Sequence, residues 1–259
     1  MSLAAASYGE GPFLVCLHGL FGSGDNLRGV GRDFESEFTV CYPDLPNHGA
    51  SRHTDQFSYR EMSESVLDLI NAAGHGPAVL LGHSMGGKVA MKLALDHPRK
   101  VRALFVLDMA PRAYDPGHRE IMDAMLALPL HEIQSRADAD RMLGSAIPFK
   151  PVRSFLLKNL VKDDDGYRWR LNLPLLRRDY ERVLGWEAEG TYDGPVLFVG
   201  GSKSKYVKPE RDSRLIRSYF PAADIRMVAG AGHWVHSERP EEVRALFRSF
   251  LTDVVDDAL

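Results

Sequence analysis

Cysteine is scarce in this chain: Cys16 and Cys41 are the only two in 259 residues. So few exclude a disulfide framework, and no Cys or His spacing suits a metal site. Each lies in an apolar, strand-like run, where a thiol reads as a small buried hydrophobe. Charge of one sign is also missing, the net charge being −3. No basic stripe suggests nucleic acid, and no polybasic segment suggests an anionic membrane. No apolar run reaches the roughly 20 residues that cross a bilayer, so no stable membrane anchor is expected. The start, Met1-Ser2-Leu3-Ala4-Ala5-Ala6-Ser7-Tyr8, lacks the basic and apolar regions of a signal peptide. These features together point to a reducing cytoplasm.

What is present is an alternation. Short apolar runs at Phe13–Leu17, Phe38–Tyr42, Ala78–Leu81, Leu104–Leu107, Val196–Val199 and Ile225–Val228 read as buried strands. Between them lie helical patterns. Met62, Val66, Leu69 and Ile70 share one helix face. Val243, Leu246, Phe247, Phe250 and Val254 share another, in a helix starting just after Pro240. The order indicates an α/β fold: a mostly parallel central sheet with helices on both faces. The alternation breaks after Asp108. From Pro111 to Gly190 no buried strand is expected, only amphipathic segments such as Glu120–Leu130 and Val152–Leu160 and a solvated acidic turn, Asp163-Asp164-Asp165-Gly166. Residues 1–110 and 191–259 therefore read as the core, and 111–190 as a helical cap inserted after the strand ending at Asp108.

The strongest chemical signal is Gly82-His83-Ser84-Met85-Gly86. The G-x-S-x-G spelling is weak alone, but here it lies between a buried strand and a helix. A serine on that sharp turn projects its hydroxyl at a helix N-terminus, and the flanking glycines leave room where side chains would clash. A hydroxyl is a poor nucleophile at neutral pH and needs a base. His233, in Gly230-Ala231-Gly232-His233-Trp234 after the last strand, is the best candidate, with His236 its rival. The base needs an acceptor to fix its tautomer. The loop Val199-Gly200-Gly201-Ser202-Lys203-Ser204-Lys205-Tyr206-Val207 holds no acid, so Asp108 is assigned that role, with Ser204 as an auxiliary contact. The oxyanion hole is expected from the backbone amides of Met85 and Leu20, the latter in His18-Gly19-Leu20-Phe21-Gly22. His18 itself reads as structural.

With these residues in place the chain resembles an α/β-hydrolase over nearly its whole length. The loop Asp44-Leu45-Pro46-Asn47-His48-Gly49-Ala50-Ser51 is similar to a D-x-x-x-H-G-x-S loop of that superfamily. The strings His18 to Leu27, Gly82 to Lys88, Asp108 to Pro111 and Gly230 to His236 are similar to small bacterial esterases of the YbfF type and their animal relatives of the ABHD-eleven type. Pro46 and Lys203 depart from that pattern. The resemblance implies a serine hydrolase of short to medium acyl esters or thioesters, without a cofactor or metal. Phe21, His83, Met122, Met125, Phe155 and Trp234 are expected to line the pocket, Leu126 and Leu156 beside them. A lyase or carbon–carbon hydrolase on the same triad, and a non-catalytic ligand-binding homologue, are the alternatives.

Overall fold

The computed structural model describes residues 3–256 of the chain. Nine strands form: β1 (Ala5–Tyr8), β2 (Phe13–Leu17), β3 (Thr39–Pro43), β4 (Ala78–His83), β5 (Val101–Leu107), β6 (Leu160–Asp163), β7 (Gly166–Trp169), β8 (Val196–Gly201) and β9 (Ala223–Val228). The helices are α1 (Arg28–Gly31), α2 (Tyr59–Ala73), α3 (Met85–Asp96), α4 (Arg119–Leu126), α5 (Arg136–Leu143), α6 (Lys150–Leu156), α7 (Leu173–Arg178), α8 (Tyr180–Leu184), α9 (Pro209–Tyr219), α10 (Val235–Glu238) and α11 (Pro240–Asp256). Seven strands make one sheet in the order β1-β3-β2-β4-β5-β8-β9. All its pairings are parallel except β1 with β3.

The alternation of side chains along the strands builds two apolar layers. Val15, Leu17, Leu80, Leu104, Val106 and Phe198 face a layer with Met62, Val66 and Ile70 of α2 and Val89 of α3. Leu14, Cys16, Val79, Leu81, Phe105 and Val199 face the other, with Val30 of α1 and Val243, Phe247 and Leu251 of α11. Leu246 and Phe250 pack beside them; the side chain of Val254 lies outside the described residues. The ends of α2 follow local chemistry. The Ser58 side chain accepts the Glu61 amide at its start, and Gly74 takes φ +71° at its end.

The structure departs from the sequence reading in four places. Strand β1 has an exposed, alanine-rich pattern and pairs along one edge through its backbone, so it leaves no apolar signal. Strand β9 is an edge strand with Asp224 and Arg226 in its middle, not a fully buried one. The segment read as a helix from Val152 to Leu160 stops at Leu156, passes a short turn and enters β6 at Leu160. The stretch from Pro111 to Gly190 is therefore not wholly helical. It contains the antiparallel pair β6 and β7, whose acidic connection at Asp164-Asp165 precedes Gly166 at φ +113°. Of β6 only Leu160 is buried, which is why the pair has no buried-strand signature. Among the described residues no helix is long and apolar enough to cross a membrane.

Candidate active site

Ser84 stands between β4 and α3 with φ +53° and ψ −118°, a strained backbone for a residue with a side chain. A Cβ on Gly86 would lie 2.1 Å from the Leu17 carbonyl oxygen, and one on Gly82 would lie 2.5 Å from that of Gly86. The turn therefore closes only with glycine at both places. The Ser84 amide donates to the Leu107 carbonyl at 3.0 Å, tying the turn to the neighbouring strand end.

His233 arrives on the loop after β9. Its Nε2 lies 3.0 Å from Ser84 Oγ and its Nδ1 2.7 Å from Asp108 Oδ2. Asp108, at the end of β5, is wholly buried and also adopts positive φ (+48°). Three donors surround its carboxylate: the imidazole Nδ1–H, the Gly201 amide on Oδ1 at 3.1 Å, and the Ser204 hydroxyl on Oδ2. An acceptor at this place takes the proton-bearing nitrogen of His233 and fixes its proton on Nδ1. Nε2 is then free to accept from Ser84. Ser204, expected as an auxiliary contact, reaches the carboxylate of Asp108, to which its hydroxyl donates. His236, the rival base, is buried against His83 with ring centroids 4.5 Å apart, and its Nδ1 has no partner among the described residues.

Around this relay lie supports that sequence reasoning missed. Tyr206 stacks on His233, ring centroids 3.8 Å apart and planes 19° from parallel. His83 Nε2 donates to the His233 carbonyl at 3.0 Å, so the residue before Ser84 fastens the loop that carries His233. Glu238 accepts the Gly232 amide at 2.8 Å from the other side. His18 is buried; its Nε2 accepts the Leu45 amide at 2.9 Å, which leaves its Nδ1–H to donate to the Gly19 carbonyl. Burial lowers its pKa to about 4. Asp44 ties the loop after β3 to the loop after β2 by accepting the amides of Gly24 and Ala50, each at 2.8 Å.

Met85 opens α3, so its amide has no intrahelical acceptor. Among the described residues no acceptor takes the Leu20 amide either. Leu20 belongs to a turn closed by the Gly22 amide on the Gly19 carbonyl at 3.0 Å. Phe21 follows at φ +61°, and its carbonyl accepts from Asn159 Nδ2 at 2.7 Å. Asn159 comes from the inserted segment and is buried; no sequence motif marks it.

A cavity of about 420 Å³ opens onto Ser84 and His233. Leu20, Phe21, His83, Phe155, Leu156 and Trp234 line it, as the sequence suggested for all but Leu20. Met122 and Met125 do not. Both are fully buried in the same apolar cluster as the sheet residues Leu80 and Leu104, so their place in the pocket is corrected. Leu126 is exposed. Helix α4 meets the cavity instead through Ile121 and the preceding His118. A helix in the middle of a layered segment has two apolar faces, and the sequence pattern does not say which one meets the pocket. Pro46 and Lys203 lie outside the cavity lining.

The chain belongs to the α/β-hydrolase fold family, whose model matches residues 12–240. Among similar proteins is the mouse (Mus musculus) sn-1-specific diacylglycerol lipase ABHD11, 39% identical over 93% of this chain and 81% of that protein. Another is esterase YbfF of Escherichia coli strain K12, 37% identical over 93% of each chain. The solved structure of a marine microorganism esterase superposes with TM-score 0.93 at 34% identity, covering 96% of this chain and 99% of that one.

Proposed function

We propose that this protein is a carboxylic-ester or thioester hydrolase that works through an acyl-enzyme on Ser84. The observation that carries the reading is the unbroken relay from Ser84 Oγ through His233 to the buried Asp108, opening on an apolar-walled cavity. Ser84 Oγ attacks the carbonyl while His233 Nε2 takes its proton. Asp108 holds the resulting imidazolium, and the amides of Leu20 and Met85 receive the oxyanion. His233 then protonates the leaving alcohol or thiol, and a water repeats the sequence on the acyl-enzyme. Residues 111–190 act as the cap, since His118, Ile121, Val152, Phe155 and Leu156 from this segment wall the cavity opposite the nucleophile. A cavity of about 420 Å³ suits short to medium acyl chains. No cofactor enters the reaction. The free, buried thiols of Cys16 and Cys41 suit a reducing cytoplasm.

The test pairs fluorophosphonate labelling with turnover of 4-nitrophenyl esters of graded chain length and their thioester counterparts. The wild type should label and turn over. Ser84→Ala should do neither while keeping the wild-type circular dichroism spectrum. Retained turnover in that variant rejects the assignment.

A further inference from the structure

The imidazole of His118, in the cavity wall, has no part in the relay. His118 precedes α4 and lines the cavity with Ser84 and His233. Its protonation state follows from counting protons around its partner, the buried phenol of Tyr180. The Tyr180 oxygen lies 3.1 Å from the Gly117 amide, 2.9 Å from the His118 amide and 2.8 Å from His118 Nδ1. Backbone amides can only donate, so both lone pairs of the phenol oxygen are taken. Its single proton is left for the third contact, and His118 Nδ1 accepts it. A neutral imidazole that accepts at Nδ1 carries its own proton on Nε2. Burial, with the charge of His233 adding to it, lowers the pKa of His118 to about 4, so the ring stays neutral near pH 7.

The Nε2–H has no acceptor among the described residues, yet it is not sealed in the protein as His236 Nδ1 and His48 Nε2 are. It keeps access to the cavity, and the His118 and Phe21 rings lie with centroids 5.9 Å apart. Ser84 and His233 are committed to each other and His83 Nε2 to the His233 carbonyl; Ser154, Lys158, His236 and Ser237 also line the cavity, but among the described residues no side-chain hydrogen bond fixes the direction of their donors. An apolar wall with one fixed and unspent donor is built to read one acceptor.

We infer that His118 is a substrate-recognition residue, whose Nε2–H donates to an oxygen of the substrate other than the scissile carbonyl. Esters carrying a further ether, hydroxyl or ester oxygen are then preferred over hydrocarbon esters of the same shape. An all-hydrocarbon ester would close the pocket over an unpaired N–H, which disfavours it. This inference rests on the hydrolase reading above.

Two isosteric pairs test it and separate the two halves of the substrate. 4-Nitrophenyl 3-ethoxypropanoate against 4-nitrophenyl hexanoate probes the acyl side. 2-Ethoxyethyl butyrate against pentyl butyrate probes the alcohol side. In one pair the ether should be favoured about tenfold in kcat/KM, and His118→Phe should bring that ratio near one. The Kd ratio of the same pair on Ser84→Ala should match, which judges recognition without catalysis. Nitrogen-15 NMR of the histidines should show His118 protonated at Nε2, whatever the folding of the His118→Phe variant. The inference is overturned by ratios near one in both pairs, by a ratio that His118→Phe leaves in place, or by a proton on Nδ1. If the wild type hydrolyses none of these esters, the hydrolase reading fails, and the Kd ratio still decides the role of His118.

Discussion

Asp108 carries three donors on one buried carboxylate, and their loss should not cost equally. Asp108→Asn keeps the shape but turns one oxygen into an amide donor, which no longer fixes His233 with its proton on Nδ1. A drop in kcat of up to about 10⁴ is expected. Ser204→Ala removes one donor while the Gly201 amide and the imidazole remain. It should cost about tenfold. Steady-state kinetics of the two variants on one ester decides, and the reverse order would make Ser204 the principal orienting group. The sequence led to Asp108 because the loop from Val199 to Val207 has no acid. The partner of Ser204 was not legible there, because a hydroxyl can donate or accept and only the fold brings Asp108 beside it.

At the scale of elements, the inserted segment is joined to the core by buried polar contacts as well as apolar ones. Lys88, on α3 four residues after Ser84, is almost fully buried and donates to the carbonyls of Leu184 at 2.8 Å and Gly185 at 2.7 Å, where α8 ends. A single side chain one helical turn after Ser84 thus holds the segment that follows α8. Asn159 holds the other side, through the Phe21 carbonyl next to Leu20. Asn159→Ala should release that carbonyl and let the Leu20 amide drift. An oxyanion donor acts in the transition state, so kcat should fall about five- to tenfold with little change in KM. A loss of thermal stability with unchanged kcat would mean that Asn159 only packs the segment. Elements were legible where burial is one-sided or complete, as in β2, β4, β8 and α2. They were not where backbone pairing alone makes the element, as in β1 and the β6–β7 pair.

For the whole molecule, neutral buried imidazoles set the response to acid. Desolvation lowers the pKa of His18, His118 and His236 to about 4 and that of His48 to about 3, with His83 well below its ordinary value too. The unfolded chain binds protons on these groups near pH 6.5, whereas in the folded chain the first four do so only near 3 to 4 and His83 only well below its ordinary value. Between those values the unfolded state holds more protons, so stability falls as pH falls. The loss should begin near pH 6.5 and deepen toward pH 4, with His18 alone worth about 2 kcal/mol by pH 5. Urea unfolding midpoints from pH 8 to pH 4 measure it. A flat profile above pH 5 would mean that these rings are solvated or already charged in the native state.

The sequence by itself determined the alternation of the buried strands with their helices and the turn that carries Ser84. Those follow from hydrophobic period and from glycine, which act over a few residues. It also supplied His233 and Asp108 as candidates, because strand ends gather on one edge of a parallel sheet. Only the tertiary structure decided that Ser204 attends Asp108, that Tyr206 and His83 hold His233, that Met122 and Met125 turn away from the cavity, and that His118 faces it. Those choices depend on the rotation of packed elements and on which lone pair meets which proton. Neither quantity is written in the local pattern of the chain.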